Sequence, residues 1–157
     1  MIRCLIIDDE PLAIEVIKTH LLQLPEFKLV DTFSNAVEAI EKLKNDTIDL
    51  IFLDIEMPLL SGIDFIKTIP NLPKVILTTA YRNYAIESYE LDVVDYLLKP
   101  ISFSRFFKAI NKFKTLVELP ISAMSASEEV IVNDHIYVNV NKKFPGFFML
   151  RLQITLC

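Results

Sequence analysis

The sequence predicts an α/β fold of five strand-then-helix units, and three observations carry that prediction. Short apolar runs alternate with segments of helical period over the first 118 residues. Four of the runs end abruptly in reactive polar residues: Asp8-Asp9, Asp54, Thr79 and Lys99-Pro100. Finally, 157 residues with 52% hydrophobic content suit one domain of about 120 residues plus an appendage, long enough to bury a core.

Taken in order, residues 2–7 read as a strand leading into a helix over 11–24. Residues 28–33 lead into 36–44, and 49–53 into 62–69. A fourth strand, 75–79, precedes a short helix at 84–89. A fifth, 93–98, precedes 103–117, where Phe103, Phe106, Phe107, Ile110 and Phe113 recur at helical spacing. Local signals agree. Pro11 stands where a first helical turn tolerates proline, and Glu38 with Lys42 is spaced for an i,i+4 pair. Right-handed crossovers then give a doubly wound parallel sheet, most economically in the flavodoxin-like (βα)5 order 2-1-3-4-5. That order sets the first and third strands side by side.

All strand carboxyl ends share one rim in such a sheet, so Asp8, Asp9 and Asp54 meet at the topological switch point. Two carboxylates about 4 Å apart repel by roughly 4 kcal/mol at an effective dielectric of 20, so the ionised trio needs a cation or a captured proton. Mg²⁺ suits an all-oxygen donor set and would neutralise an incoming phosphoryl group. Asp54 then becomes a nucleophile toward phosphorus. Lys99 offers a mobile positive charge and Thr79 a hydroxyl donor for phosphoryl oxygens. Each residue alone has a plainer reading: Asp8-Asp9 as a strand-to-helix cap, Asp54 as a loop start, Thr79 as a β-former and Lys99-Pro100 as a solvated turn. Their joint placement at strand ends favours chemistry. Gly62 reads as a permissive backbone position or a turn glycine, and His20 as a residue that packs or faces solvent.

Four motifs, Ile6-Ile7-Asp8-Asp9-Glu10-Pro11, Phe52-Leu53-Asp54-Ile55-Glu56-Met57-Pro58 with Gly62, Thr78-Thr79-Ala80-Tyr81, and Asp95-Tyr96-Leu97-Leu98-Lys99-Pro100, resemble those of bacterial two-component response-regulator receiver domains. The resemblance covers residues 1–118. It implies that Asp54 is the phosphoacceptor, and that Asp9, Asp54 and the Glu56 backbone carbonyl surround Mg²⁺, with Asp8 of the acidic pair acting through water. It further implies that Lys99 contacts the phosphate after a cis Lys-Pro bond and that Thr79 and Tyr96 form a switch pair. On activation, such domains alter the face made by the fourth helix, fifth strand and fifth helix. A homodimer through that face and a cognate sensor histidine kinase, met around residues 12–24, are the implied partners. An external-substrate turnover enzyme is not implied.

Leu53 to Pro58, Thr79-Ala80-Tyr81 and Tyr96 to Phe103 further resemble receivers of the LytTR (LytR/AlgR) class, which carry a DNA-binding domain. Here residues 119–128 read as a linker, and 129–157 as an incomplete LytTR-like output domain or irregular tail, a short β-rich remnant. Residues 131–133 and 136–143 suggest a hairpin like that domain's first strands, and the likeness stops after Phe144. From Glu129 onward three cations face two carboxylates, and the whole chain carries a formal charge of -5. Neither is the electrostatic footprint of sequence-specific DNA binding, so DNA is expected as a partner only with a complete output domain. No apolar run approaches the ~20 residues a bilayer requires and no signal pattern opens the chain, so a soluble cytoplasmic protein without membrane attachment is expected. Cys4 and Cys157 suggest no disulfide framework. The nearest enzyme reading is a haloacid-dehalogenase-like phosphohydrolase, which wants its nucleophile on the first strand. A phosphorylation-independent scaffold is the other alternative, and its signature would be a degraded acidic pocket.

Overall fold

A computed structural model of the chain describes residues 1–81 and 91–118. Strands β1 (Ile2–Ile7), β2 (Phe27–Phe33), β3 (Leu50–Asp54), β4 (Lys74–Thr79) and β5 (Asp95–Leu98) form one parallel sheet in the order β2-β1-β3-β4-β5. Helices α1 (Pro11–Leu21), α2 (Ala36–Asn45), α3 (Gly62–Thr68) and α4 (Phe103–Glu118) complete the described elements. All lie in the unit Met1–Glu118. The helix predicted at 84–89 and the remnant predicted at 129–157 lie outside the described residues.

Side-chain alternation along each strand divides the core into two layers. On one face Cys4, Ile6, Leu50, Phe52, Ile76 and Leu97 pack against Ile17 and Leu21 of α1 and Phe106, Ile110 and Phe113 of α4. On the other, Leu5, Ile7, Ile51, Leu53, Val75 and Leu77 pack against Ala36 and Ala39 of α2 and Ile63 and Phe65 of α3. Both faces of the central strands are covered, which explains their unbroken apolar runs.

Local chemistry starts and stops these elements. Pro11 opens α1 at a position where the missing N–H costs nothing. Asn35 caps α2 by accepting from Glu38 N at 3.0 Å, and Ser61 caps α3 by accepting from Asp64 N at 3.1 Å. Helix α1 ends three residues before the predicted limit: Gln23 N donates to His20 O and Leu24 N to Leu21 O, tightening the chain into a turn ahead of Pro25. That turn carries Leu24 into the core, so the apolar run that looked like a longer helix is a helix plus a buried turn residue. The pair expected between Glu38 and Lys42 does not form. Lys42 Nζ instead meets Asp46 at 3.0 Å and Asp31 at 3.8 Å, because Asp46 sits one turn further along on the same face.

Candidate functional site

The rim at the carboxyl ends of β1, β3, β4 and β5 gathers the residues that the sequence singled out. Asp8 shares the alternation of Cys4 and Ile6, Asp54 that of Phe52, and Lys99 that of Leu97, so all three side chains leave the sheet on its α1/α4 face. Lys99 Nζ lies 2.9 Å from Asp54 Oδ1 and 2.9 Å from Asp8 Oδ2, and also reaches Glu10 Oε2 at 3.3 Å. Asp8 and Asp54 are buried, whereas Asp9 is exposed. One carboxylate oxygen from each of Asp8, Asp9 and Asp54 falls within 4.8 Å of the others. An open cleft of about 630 Å³ runs from Asp9 past Glu56, Met57 and Pro58 to Lys67 and gives solvent a way in.

Burial dominates the electrostatics. It raises the Asp54 carboxyl to about 6 and outweighs the hydrogen bond from Lys99, with the charge of Asp8 adding to the rise. Asp8 is likewise raised by burial, against Lys99 and the backbone N–H of Glu10, which donates to Asp8 Oδ1 at 2.9 Å. Burial pulls Lys99 down, but its hydrogen bonds to Asp8 and Asp54 prevail and raise it, so the ammonium is held charged.

These residues fit a hard divalent cation such as Mg²⁺. Three carboxylate oxygens converge, and Asp8 Oδ2, although in ionic contact with Lys99, has no aligned hydrogen bond. The donors are all hard oxygens.

Thr79 and Tyr96 lie on the opposite face. Thr79 continues the alternation of Val75 and Leu77, and Tyr96 packs against that same layer. Thr79 Oγ1 accepts from Tyr81 N at 3.1 Å, while the Tyr96 hydroxyl donates to Tyr81 O and interacts with Thr79. Hydroxyl and ring therefore converge on the loop after β4. The Lys99–Pro100 bond is cis, and Lys99 N donates to Thr79 O at 2.7 Å, so the backbones of the two halves are joined.

Gly62 has a different reason from the one expected. Its φ is not positive; a Cβ there would stand 2.2 Å from the Asp54 carbonyl oxygen. Close approach, secured by Gly62 N donating to Ile55 O at 2.9 Å, excludes every side chain. Glu10 as a third partner of Lys99 escaped the sequence reading, which had only adjacency to Asp9 to signal it. His20 packs between Phe103 and Phe106, at 5.5 and 5.2 Å between ring centroids, and its Nε2 lies 2.9 Å from Ile101 O. Arg105 was also passed over. It forms a bidentate pair with Asp95 at 2.7 and 3.0 Å and donates to Tyr96 O at 2.7 Å.

The response regulator receiver domain model matches residues 4–111 of the chain. The chain belongs to the response-regulator receiver family. The receiver is 41% identical over 115 residues to the sensory transduction protein LytR of Staphylococcus haemolyticus, covering 71% of this chain and 45% of that protein. Its fold is similar to the response regulatory domain of mrkE from Klebsiella pneumoniae, with a TM-score of 0.69 at 29% identity over 76% of this chain and 100% of that one. It is also similar to the response regulator TrrA of Thermotoga maritima in complex with Mg²⁺-BeF, with a TM-score of 0.62 at 34% identity over 72% and 99% of the two chains. The receiver spans about half the length of the curated relatives it matches. This family assignment leaves the haloacid-dehalogenase-like reading without support. Among the described residues no helix is long and apolar enough to cross a membrane.

Proposed function

We propose that this receiver accepts a phosphoryl group on Asp54 from a sensor histidine kinase and thereby switches a remote face. One observation carries the reading: Asp54, only 3% exposed, contacts the Lys99 ammonium and shares its pocket with two further carboxylates. In the transfer, a carboxylate oxygen of Asp54 attacks phosphorus, the N–P bond of the kinase phosphohistidine breaks, and the imidazole leaves with the electron pair. Lys99 turns from Asp54 to the phosphoryl oxygens as they arrive, keeping Asp8 and Glu10 as anchors. The Thr79 hydroxyl donates to a phosphoryl oxygen and Tyr96 follows it, altering the face that includes β5 and α4. Asp9, Asp54 and the Glu56 backbone carbonyl would hold Mg²⁺, with Asp8 acting through water. When bound, the ion supplies charge neutralisation for the pocket and the phosphoryl group.

The likeness to TrrA, a protein seen with Mg²⁺-BeF, supports the metal reading. The likeness to LytR covers the receiver and supports a regulatory role, with residues 1–118 as the phosphoacceptor module, 119–128 as linker and 129–157 as an incomplete LytTR-like output domain or irregular tail. DNA binding and transcriptional control belong to that output. Incubation with Mg²⁺ and acetyl phosphate should add one acid-labile phosphoryl group by intact mass. Asp54→Asn should abolish it, and undiminished labelling of Asp54→Asn or in excess chelator would sink the proposal.

A further inference from the structure

Two buried side-chain oxygens among the described residues have no aligned hydrogen bond: Asp8 Oδ2, which is in ionic contact with Lys99, and Thr78 Oγ1. Both lie at the same rim and on the same face. Thr78 has no solvent exposure and alternates with Ile76, which packs in the α1/α4 layer, so its side chain leaves the sheet on the side of Asp54 and Lys99. It is also the register partner of Asp54 across the β3–β4 ladder, and Ile55 N donates to Thr78 O at 3.0 Å, fixing the two backbones together. A buried hydroxyl without a partner is uncommon and calls for a group that it meets in another state of the site.

We propose that the Thr78 hydroxyl is a further donor of this site, acting on the Asp54 carboxyl as the phosphoryl group departs; this rests on the phosphoacceptor reading above. Lys99 Nζ is the charged partner of Asp54 Oδ1 at 2.9 Å, beside a backbone hydrogen bond from Glu56. Once a phosphoryl group draws Lys99 away, the Asp54 side-chain carboxyl loses its charged partner, and the Thr78 hydroxyl, in register beside it and otherwise unpartnered, is the donor placed to replace it. In hydrolysis, water oxygen attacks phosphorus, the P–O bond to Asp54 breaks, the electron pair stays on the Asp54 carboxylate, and the water proton leaves with phosphate. Negative charge therefore grows on the Asp54 carboxyl, whose register partner is Thr78, and a donor aimed at developing charge speeds the step. The neighbouring Thr79 is committed elsewhere: its oxygen accepts from Tyr81 N at 3.1 Å, and on loading its hydroxyl goes to the phosphoryl group rather than to the carboxyl. Two adjacent threonines thus divide the work: one stands in register beside the carboxyl, and the other meets the switch loop.

The test compares wild type, Thr78→Val, Thr78→Ala and Thr78→Ser, each loaded with acetyl phosphate and Mg²⁺, freed of donor, and followed by intact mass alongside a thermal melt. Thr78→Val and Thr78→Ala should load fully but lose the phosphoryl group roughly three- to tenfold more slowly, the effect of one hydrogen bond to a developing charge. Thr78→Ser, which keeps the hydroxyl, should restore the wild-type rate. A wild-type lifetime in Thr78→Val, with a melting temperature raised by removal of the unpartnered hydroxyl, overturns the inference and makes Thr78 a structural cost. Thr78→Ala decides the matter if the valine variant does not fold. Wild type that never loads would instead defeat the phosphoacceptor reading itself, and this inference with it.

Discussion

At Asp54, burial sets a titration with a definite sign. The folded carboxyl titrates at about 6, above its ordinary 3.8, because desolvation outweighs Lys99. Folding therefore favours the protonated form; the stability it contributes is complete below the unfolded value and is lost as pH rises through about 6. In chelator, wild type should lose stability relative to Asp54→Asn between about pH 4 and about pH 7, by on the order of 2–3 kcal/mol. Thermal melts of both proteins across that window check it, and parallel curves would contradict the burial of Asp54. Gly62 makes a second prediction at this scale. A methyl group 2.2 Å from the Asp54 carbonyl must displace the backbone beneath the site, so Gly62→Ala should cost roughly 1–3 kcal/mol in urea unfolding and impair phosphorylation. Normal stability and normal loading in that variant would show that the approach is not constraining.

Among the elements, α4 shows how far a periodic pattern can be read. Its aromatic stripe predicted the helix and a buried face, yet the stripe splits: Phe106 and Phe113 are fully buried, whereas Phe103 and Phe107 are 42% and 40% exposed. Helix rotation settles which of the five enter the core, and Ile110 joins Phe106 and Phe113 there. Phe106 stacks on Phe52 of β3 at 5.4 Å and contacts His20 of α1, so it joins three elements. Phe106→Ala should destabilise the receiver by roughly 3–5 kcal/mol, read as a lower urea midpoint at unchanged slope. A loss under 1 kcal/mol, roughly what an exposed helix position shows, would mean that this contact does not hold the layer.

For the molecule as a whole, the proposed switch couples a buried rim to a face that includes β5 and α4. Arg105 clamps Asp95 and the Tyr96 carbonyl, so movement of the Tyr96 ring would be felt directly at the start of α4. Beryllofluoride with Mg²⁺ should therefore strengthen self-association in sedimentation experiments, and Thr79→Ala should fill the pocket while associating no more than the unactivated protein. Identical sedimentation with and without beryllofluoride would remove the coupling; an activated Thr79→Ala protein that associates like wild type would remove Thr79 from it.

The amino-acid sequence determined the five-stranded α/β fold, its strand order and the meeting of Asp8, Asp9, Asp54 and Lys99, since each strand end is marked locally and crossover rules bring those ends to one rim. Tertiary structure alone decided how that rim divides: Asp54, Lys99 and Thr78 on the α1/α4 face, Thr79 and Tyr96 on the other. It also decided that Glu10 joins Lys99 and that Gly62 is fixed by the Asp54 carbonyl rather than by a turn. The physical reason is that a strand's polar end is a local property, whereas the face on which each side chain emerges depends on register, and shifting register by one residue would exchange Thr78 for Thr79.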